Sequence, residues 1–549
     1  MSLKARLLKV QVNLYGIQIA QLYQSDLNMQ RTPRILWADD EIDLLKPHVL
    51  FLESKGFHVT GVNSGVEALD LFATEVFDLV FLDEQMPGLN GLETLQRMKE
   101  QRPHLPVIMI TKSEEEQIME EAIGSKISDY LIKPVNPNQI LLSIKKNLDE
   151  QRLISEKAMI DYQREFRDIS MQLMGGLNAA DWTSIYQRLV HWKLELESSQ
   201  DDGMKDILDM QFKDANRQFA KFYEKEYPEW MAGPDDDSPT LSHRLLPERL
   251  PAVLEKVKEG QPVFLVVIDN LRLDQWRMIE PLLLDKYRVA RNDSYFSMLP
   301  TATQYARNAL FAGLSPADIA RIYPQHWVGE EEEGSKNRYE KELFQSLLKR
   351  IGFEGKSDYH KITNLASGRK LVDQFHQLKG NDLTALVYNF VDMLSHARTE
   401  MDVLKELAED EAAYRSLTHS WFEHSALKEM LDKMAEWDAR VVITTDHGTV
   451  RVSNPVQVKG ERSTNSNLRY KVGRNLGYDA KEVFEVRDPE KLGLPRPHVS
   501  SSYIFSREDD FLVYPNKYHH FAQYFRDTFQ HGGISLEEVI IPWVELETN

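Results

Sequence analysis

Five apolar runs in this chain each lead into a carboxylate: ILWADD, LVFLDE, VFLVVID, ARVVITTD, and LTALVYNFVD, where the acid trails by a few residues. Short Val/Ile/Leu runs without polar alternation are the mark of strands buried on both faces, and such strands occur in parallel sheets covered by helices. In an open parallel sheet the carboxyl ends of the strands line the ligand crevice, so acids placed there converge. The chain is therefore expected to be α/β, with acid-lined crevices at its strand ends.

The pattern is not uniform along the chain. From Arg34 to about Gln151 apolar runs alternate with amphipathic segments, as in a doubly wound sheet. From about Arg152 to Trp230 apolar residues recur at helical spacing, through QREFRDISMQLM, WTSIYQRLVHWKLEL and MKDILDMQFKDANRQFAKFYEKEY, which predicts a helical bundle. MAGPDDDSPT then reads as a linker or exposed loop, and strands return from about Leu241. The expected division is 29–151, 152–240 and 241–549, with 1–28 an extension ahead of a natural beginning at Met29. A length of 549 residues is too great for one core. The net charge of -20 argues against a general nucleic-acid coat or a membrane-surface protein, and the absence of cysteine excludes disulfides, thiolate metal sites and cysteine nucleophiles. No window has the apolar length of a membrane span.

In the first segment Asp39 and Asp40 end one strand and Asp83 a later one, and three clustered carboxylates call for a hard dication such as Mg2+. Thr111 and Lys133 follow at later strand ends, where a hydroxyl and an ammonium could hold a phosphoryl group placed on Asp83. A single acid at a strand end is more often merely solvated. The ordered set, with MP and Gly91 after Asp83 and an aromatic at Tyr130, resembles the receiver domain of two-component response regulators. The resemblance implies phosphorylation at Asp83, Mg2+ held by Asp40, Asp83 and the backbone of Gln85 with Asp39 assisting, and Thr111 and Tyr130 reporting the phosphorylated state.

In the third segment Asp269, Asp392, Asp446 and His447 lie at strand ends, His396 follows Asp392 by four residues, and His531 precedes the last apolar run. Asp and His without Cys form a ligand set for zinc or manganese. Taken singly, D-x-x-x-H is commonly a helical ion pair, DHG a weak motif and HGG a turn. In this order, with LPTATQYARNALFAGLSP between Pro300 and Pro316, they resemble the alkaline phosphatase superfamily, specifically its PglZ type. The resemblance implies a hydroxyl nucleophile that opens a helix closed by glycine ten residues later. Gly313 then selects Thr303, with Thr301 the alternative because it directly follows Pro300. It further implies two zinc ions, one on Asp392, His396 and His531 and the other on Asp269, Thr303, Asp446 and His447. Arg307, one turn after Thr303, is placed either to contact phosphate or to form a surface salt bridge. The basic segment KGERSTNSNLRYKVGRN offers Lys459, Arg462, Arg469, Lys471 and Arg474, with Tyr470 for stacking, as a groove for a polyanion; a solvated loop is the competing reading.

The order receiver, helical connector, PglZ-type domain resembles the response regulators associated with type IX secretion and gliding. That resemblance implies a cytoplasmic protein, a PorY-like histidine kinase as partner, contact with a PorL-like motor protein and an extracytoplasmic-function sigma factor, and association into a homodimer on phosphorylation. It also implies phosphodiesterase activity on nucleotides or oligoribonucleotides. A non-enzymatic signalling adaptor with a metal-stabilised domain is the alternative. Retention of both a complete ligand set and a candidate nucleophile favours the enzyme.

Overall fold

The computed structural model describes residues 32–102, 105–112, 127–197, 202–258, 260–400, 410–461 and 464–549, without the side chains of 149–159, 202, 258 and 396–400. The proposed extension 1–28 lies outside the described residues. Two compact units form: one runs through Ser170 and takes in the start of the helix Asp202–Ala232, and the other contains Met171–Glu197 and Asp206–Asn549.

The first unit contains a five-stranded sheet of β1 (Arg34–Ala38), β2 (His58–Val62), β3 (Leu79–Asp83), β4 (Val107–Thr111) and β5 (Asp129–Ile132), ordered β2-β1-β3-β4-β5 with every pairing parallel. β3 and β4 are buried throughout, which is why LVFLD and VIMIT carry no polar alternation. Strand order reverses between β1 and β3, so Asp39 and Asp83 leave the sheet at the switch point. The helix after β3 starts where the sequence specifies it. Asn90 accepts from the Glu93 backbone N–H at 2.8 Å while the Glu93 carboxylate accepts from the Asn90 N–H, a reciprocal cap worth about 1 kcal/mol.

The second unit is built on a six-stranded sheet. β6 (Val263–Ile268), β8 (Ser357–Ile362), β9 (Leu383–Tyr388) and β10 (Arg440–Thr444) run parallel, while β7 (Tyr287–Phe296) and the C-terminal strand Ile540–Thr548 form its antiparallel side. Register aligns the ends: Ile268 pairs with Tyr388 and Val267 with Thr444. Consequently the residues that follow β6, β9 and β10 emerge side by side. Short strands between Val450 and Gln530, two to four residues each, build a β-rich insertion that the sequence pattern did not announce.

The helical segment is present as expected, with helices Pro137–Leu173, Ala179–Glu197 and Asp202–Ala232. Its later helices do not stand apart from the C-terminal domain. Trp182, Phe219, Tyr223 and Trp230 pack with Phe296 of β7 in an aromatic cluster, and Lys193 and Glu197 pair with Glu411 and Arg415. Among the described residues no helix is long and apolar enough to cross a membrane.

Candidate functional site

The receiver crevice brings its expected acids together. Asp39, Asp40 and Asp83 each place a carboxylate oxygen within 4.8 Å of the others, and Lys133 Nζ lies 2.8 Å from Asp39 Oδ2 and 3.0 Å from Asp83 Oδ2. Burial pushes the Asp83 carboxyl up to about 6, and Asp39 and Asp40 add to the shift while Lys133 opposes it. An all-oxygen cluster with surplus negative charge suits a hard dication. Thr111 is buried and its hydroxyl donates to Glu84, while Tyr130 packs against the sheet core. Gln85 lies exposed two residues past Asp83. Because Asp83 must be ionised to bind a cation, Mg2+ affinity should fall as the pH drops through about 6. Titration at about pH 8 and about pH 5 checks this, and Asp83→Asn should remove the dependence. An affinity unchanged across that window contradicts it.

The second crevice is deeper. Asp269, Asp446 and His447 are fully buried, and each contributes a ligand atom within 4.8 Å of the others. Thr303 opens the helix Thr303–Ala312, and its hydroxyl lies 3.1 Å from His447 Nε2 and 3.4 Å from Asp269 Oδ1. Among the described residues no side chain caps that helix, so its N-terminal dipole is left to whatever occupies the crevice. Gly313 ends it at φ 58°, a left-handed position that favours glycine. Gly448 is required for a different reason: a Cβ there would sit 1.9 Å from the Glu537 carbonyl oxygen.

Thr301 is placed differently. It is fully buried, its hydroxyl donates to the Gly533 carbonyl at 2.9 Å and accepts from the Gly532 N–H at 3.1 Å. That hydroxyl ties down the loop after His531.

His531 Nε2 lies 3.5 Å from Asp392 Oδ1, and the His531 and His447 rings stack at 4.3 Å, so the two sets are adjacent. His396 sits one turn after Asp392 in the helix Phe390–Glu400, and its side chain lies outside the described residues. Both described histidines approach a backbone carbonyl through Nδ1, His447 that of Gly448 at 3.1 Å and His531 that of Thr301 at 3.2 Å. A carbonyl can only accept, so Nδ1 carries a proton and Nε2 is the nitrogen turned toward the crevice, the orientation seen in metal-ligating histidine.

The electrostatics also fit a cation. Burial, reinforced by Asp269, pushes the Asp446 carboxyl up, and among the described residues Asp446 Oδ2 has no hydrogen-bond donor. Burial would push Asp269 up as well, but the Arg307 guanidinium and His447 outweigh it and hold that carboxyl below its usual range. A divalent ion between the two acids would relieve their repulsion.

Arg307 does not form the surface salt bridge that was one of its two expected roles. It is 1% exposed, its Nε donates to Glu340 Oε1 at 2.6 Å and its Nη1 pairs with Asp269. Every residue from Gln304 to Ala312 is buried, so one turn after Thr303 the side chain points into protein and meets Asp269 of the crevice instead of solvent. Glu340 in turn pairs with Lys361 at 3.0 Å and accepts from the Tyr359 hydroxyl. Asn389 Nδ2 donates to Asp269 Oδ2 at 2.9 Å and Asn337 Nδ2 to the Thr303 carbonyl at 2.8 Å. These bracing residues were not read from the sequence. Asn389, a polar residue directly after a buried strand, was the one local signal.

The basic segment does not assemble a groove. Arg469 is fully buried, giving Nε and Nη2 to Glu538 at 3.1 and 2.6 Å and its remaining donors to the carbonyls of Arg507, Glu508 and Asp510. Tyr470 is buried and donates to Glu330 at 2.8 Å. Lys471 is 1% exposed, pushed down to about 7 by burial, with Nζ 4.5 Å above the Tyr514 ring. Arg474 pairs with Glu461, Lys459 is exposed and Arg462 lies outside the described residues. Burial of the short strand Tyr470–Gly473 and a distant carboxylate consume the charge that the linear pattern displayed.

Comparison with known proteins gives three family matches: the response regulator receiver domain over residues 35–145, the PorX response regulator linker domain over 152–231, and the BREX system PglZ alkaline phosphatase-like domain over 250–546. The chain is 37% identical over 120 residues to the alginate biosynthesis transcriptional regulatory protein AlgB of Pseudomonas syringae pv. tomato, which is 22% of this chain and 27% of that protein. It is 31% identical over 118 residues to the response regulator SaeR of Staphylococcus aureus, which is 22% of this chain and 51% of that protein. A CheY-like receiver domain structure from Methanospirillum hungatei JF-1 matches 22% of this chain and 98% of its own at 31% identity, with a TM-score of 0.22. Each of these matches covers 22% of this chain, and the chain spans 27% and 51% of the length of the two curated relatives. With a receiver, a PorX-type linker and a PglZ match spanning more than half its length, the chain has the architecture of the PorX response regulators and belongs to the PglZ alkaline phosphatase-like family.

Proposed function

We propose that this response regulator is a metal-dependent phosphodiesterase whose nucleophile is Thr303. The observation that carries the reading is the placement of the Thr303 hydroxyl between Asp269 and His447, beside Asp446, at an uncapped helix N-terminus. Asp269, Asp446 and His447 would hold one divalent ion with Thr303, and Asp392, His396 and His531 the other; zinc suits these donors. Bound ions of this kind acidify a hydroxyl and stabilise charge on phosphoryl oxygens.

The protein's own groups set the geometry. Thr303 Oγ1 attacks phosphorus in line as it loses its proton; the Oγ–P bond forms and the bond to the departing alcohol breaks. Water then cleaves the Oγ–P bond and restores the hydroxyl. Asn337 fixes the Thr303 backbone, Asn389 and Arg307 fix Asp269, and the Nδ1 hydrogen bonds fix the two imidazoles.

Phosphorylation of Asp83 by a histidine kinase of the PorY kind would regulate this activity through association of receivers into a homodimer. Oligoribonucleotides are the proposed substrate class, and control of type IX secretion, with motor-protein and sigma-factor partners, the proposed role. A cytoplasmic location accompanies that role. Metal analysis with hydrolysis of bis-para-nitrophenyl phosphate tests the chemistry. The parent should carry two zinc ions per chain, and His531→Ala should lose one with most of its activity. Full zinc content in His531→Ala removes that ligand assignment, and a parent that hydrolyses no phosphoester supports the adaptor.

A further inference from the structure

The helix Asp202–Ala232 belongs by sequence to the connector, yet one stripe of it reaches the backbone on both sides of the crevice. Asn216, Ala220, Tyr223 and Tyr227 recur at helical spacing and are all buried, so they form one face. Asn216 Nδ2 donates to Glu537 Oε2 at 3.0 Å while the Leu536 N–H donates to Asn216 Oδ1 at 2.7 Å. Both hydrogen bonds of one amide thus clamp the turn after His531. The neighbouring Glu538 accepts from the Gly533 N–H at 2.9 Å, which carries the clamp back to the HGG loop.

Further along the same face, the Tyr227 hydroxyl accepts from the Leu299 N–H at 3.1 Å and the Tyr223 hydroxyl donates to the Ser297 carbonyl at 2.9 Å. Their rings stack at 4.9 Å and 16°. Leu299 is fully buried and lies four residues before Thr303, so this backbone sets the approach to the nucleophile.

We propose that Asn216 and Tyr227 are positioning residues for the phosphoester chemistry, with the connector helix setting the His531 loop and the Thr303 turn through backbone hydrogen bonds. This rests on the roles proposed above for Thr303 and His531. Neither residue touches substrate. Their effect is on geometry, where a misplacement of about 1 Å costs about a hundredfold in rate. A displacement of the helix would act on both halves of the crevice at once, which makes it a route for regulation of this site.

The test uses the full chain and hydrogen exchange read segment by segment, alongside zinc affinity and steady-state kinetics. Asn216→Ala should speed exchange about tenfold in 531–539 and leave 297–303 as in the parent. It should weaken one of the two zinc ions about 10–100-fold, as loss of a partner behind a metal ligand does. Tyr227→Phe should do the converse: faster exchange in 297–303, both zinc ions retained, and kcat lowered about tenfold at unchanged KM. Asn216→Asp combined with Glu537→Gln reverses donor and acceptor between those side chains while keeping an acceptor for the Leu536 N–H, so it should restore exchange and zinc binding.

Parent-like exchange in both single variants overturns the proposal, as does faster exchange spread evenly over the unit, the signature of packing alone. Should the parent bind no zinc and hydrolyse nothing, the proposed chemistry falls, while the exchange measurement still decides whether these residues position the loops.

Discussion

Replacing Thr303 by valine should abolish phosphoester hydrolysis, by at least ~10^3-fold, without unfolding the protein. Valine keeps the shape of threonine and removes the oxygen that faces Asp269 and His447. Those contacts are at 3.1 and 3.4 Å and Thr303 is only half-buried, so the loss in stability should be about 1 kcal/mol. Thr301→Val provides the contrast. It leaves the Gly532 N–H and the Gly533 carbonyl buried without partners, which costs about 1–3 kcal/mol. Because these groups follow His531, activity should also fall, by about 10–30-fold and not completely. Rates at matched folded fraction, judged from thermal melts, check both. A dead Thr301→Val beside an active Thr303→Val would exchange the two roles.

Replacing Arg469 by methionine should destabilise the C-terminal unit by about 3–5 kcal/mol, the usual result of removing one partner from a buried ion pair. The guanidinium and Glu538 are both fully buried, and the substitution leaves a carboxylate in a dry site together with carbonyls that lose their donors. Against a total stability of about 5–15 kcal/mol, that margin lowers soluble yield as well as melting temperature. Arg469→Met with Glu538→Leu should recover part of the loss, because no charge is then stranded. Denaturant melts of the three proteins read the effect. An Arg469→Met protein as stable as the parent, with weaker polyanion binding, would return this arginine to the surface groove that the sequence pattern proposed.

Local signals made the strand-end acids legible: an apolar run fixes a buried strand, parallel winding fixes which end carries the ligands, and Asp269, Asp446 and His447 follow directly. Helical spacing likewise gave the connector its helices. What escaped was partnership over distance. Glu340 braces Arg307 from 33 residues away, Asn389 holds Asp269 across 120, and Arg469 meets Glu538 across 69. Nothing in the flanking sequence of either member of such a pair records the other. The insertion between Val450 and Gln530 escaped for another reason, since strands of two to four residues are too short to show a period. The charge of Lys471 and Arg469 was visible, but burial is set by tertiary packing and not by composition.

The central claim is that Thr303 itself takes the phosphoryl group. Acid-quenching the zinc-loaded full chain during turnover of bis-para-nitrophenyl phosphate, followed by peptide mass spectrometry, addresses it directly. The expected result is a mono-nitrophenyl phosphate ester on the peptide that contains Thr303, one nitrophenolate having left, and its absence after Thr303→Val. Hydrolysis at the parent rate by Thr303→Val, or an adduct confined to another residue, would contradict it.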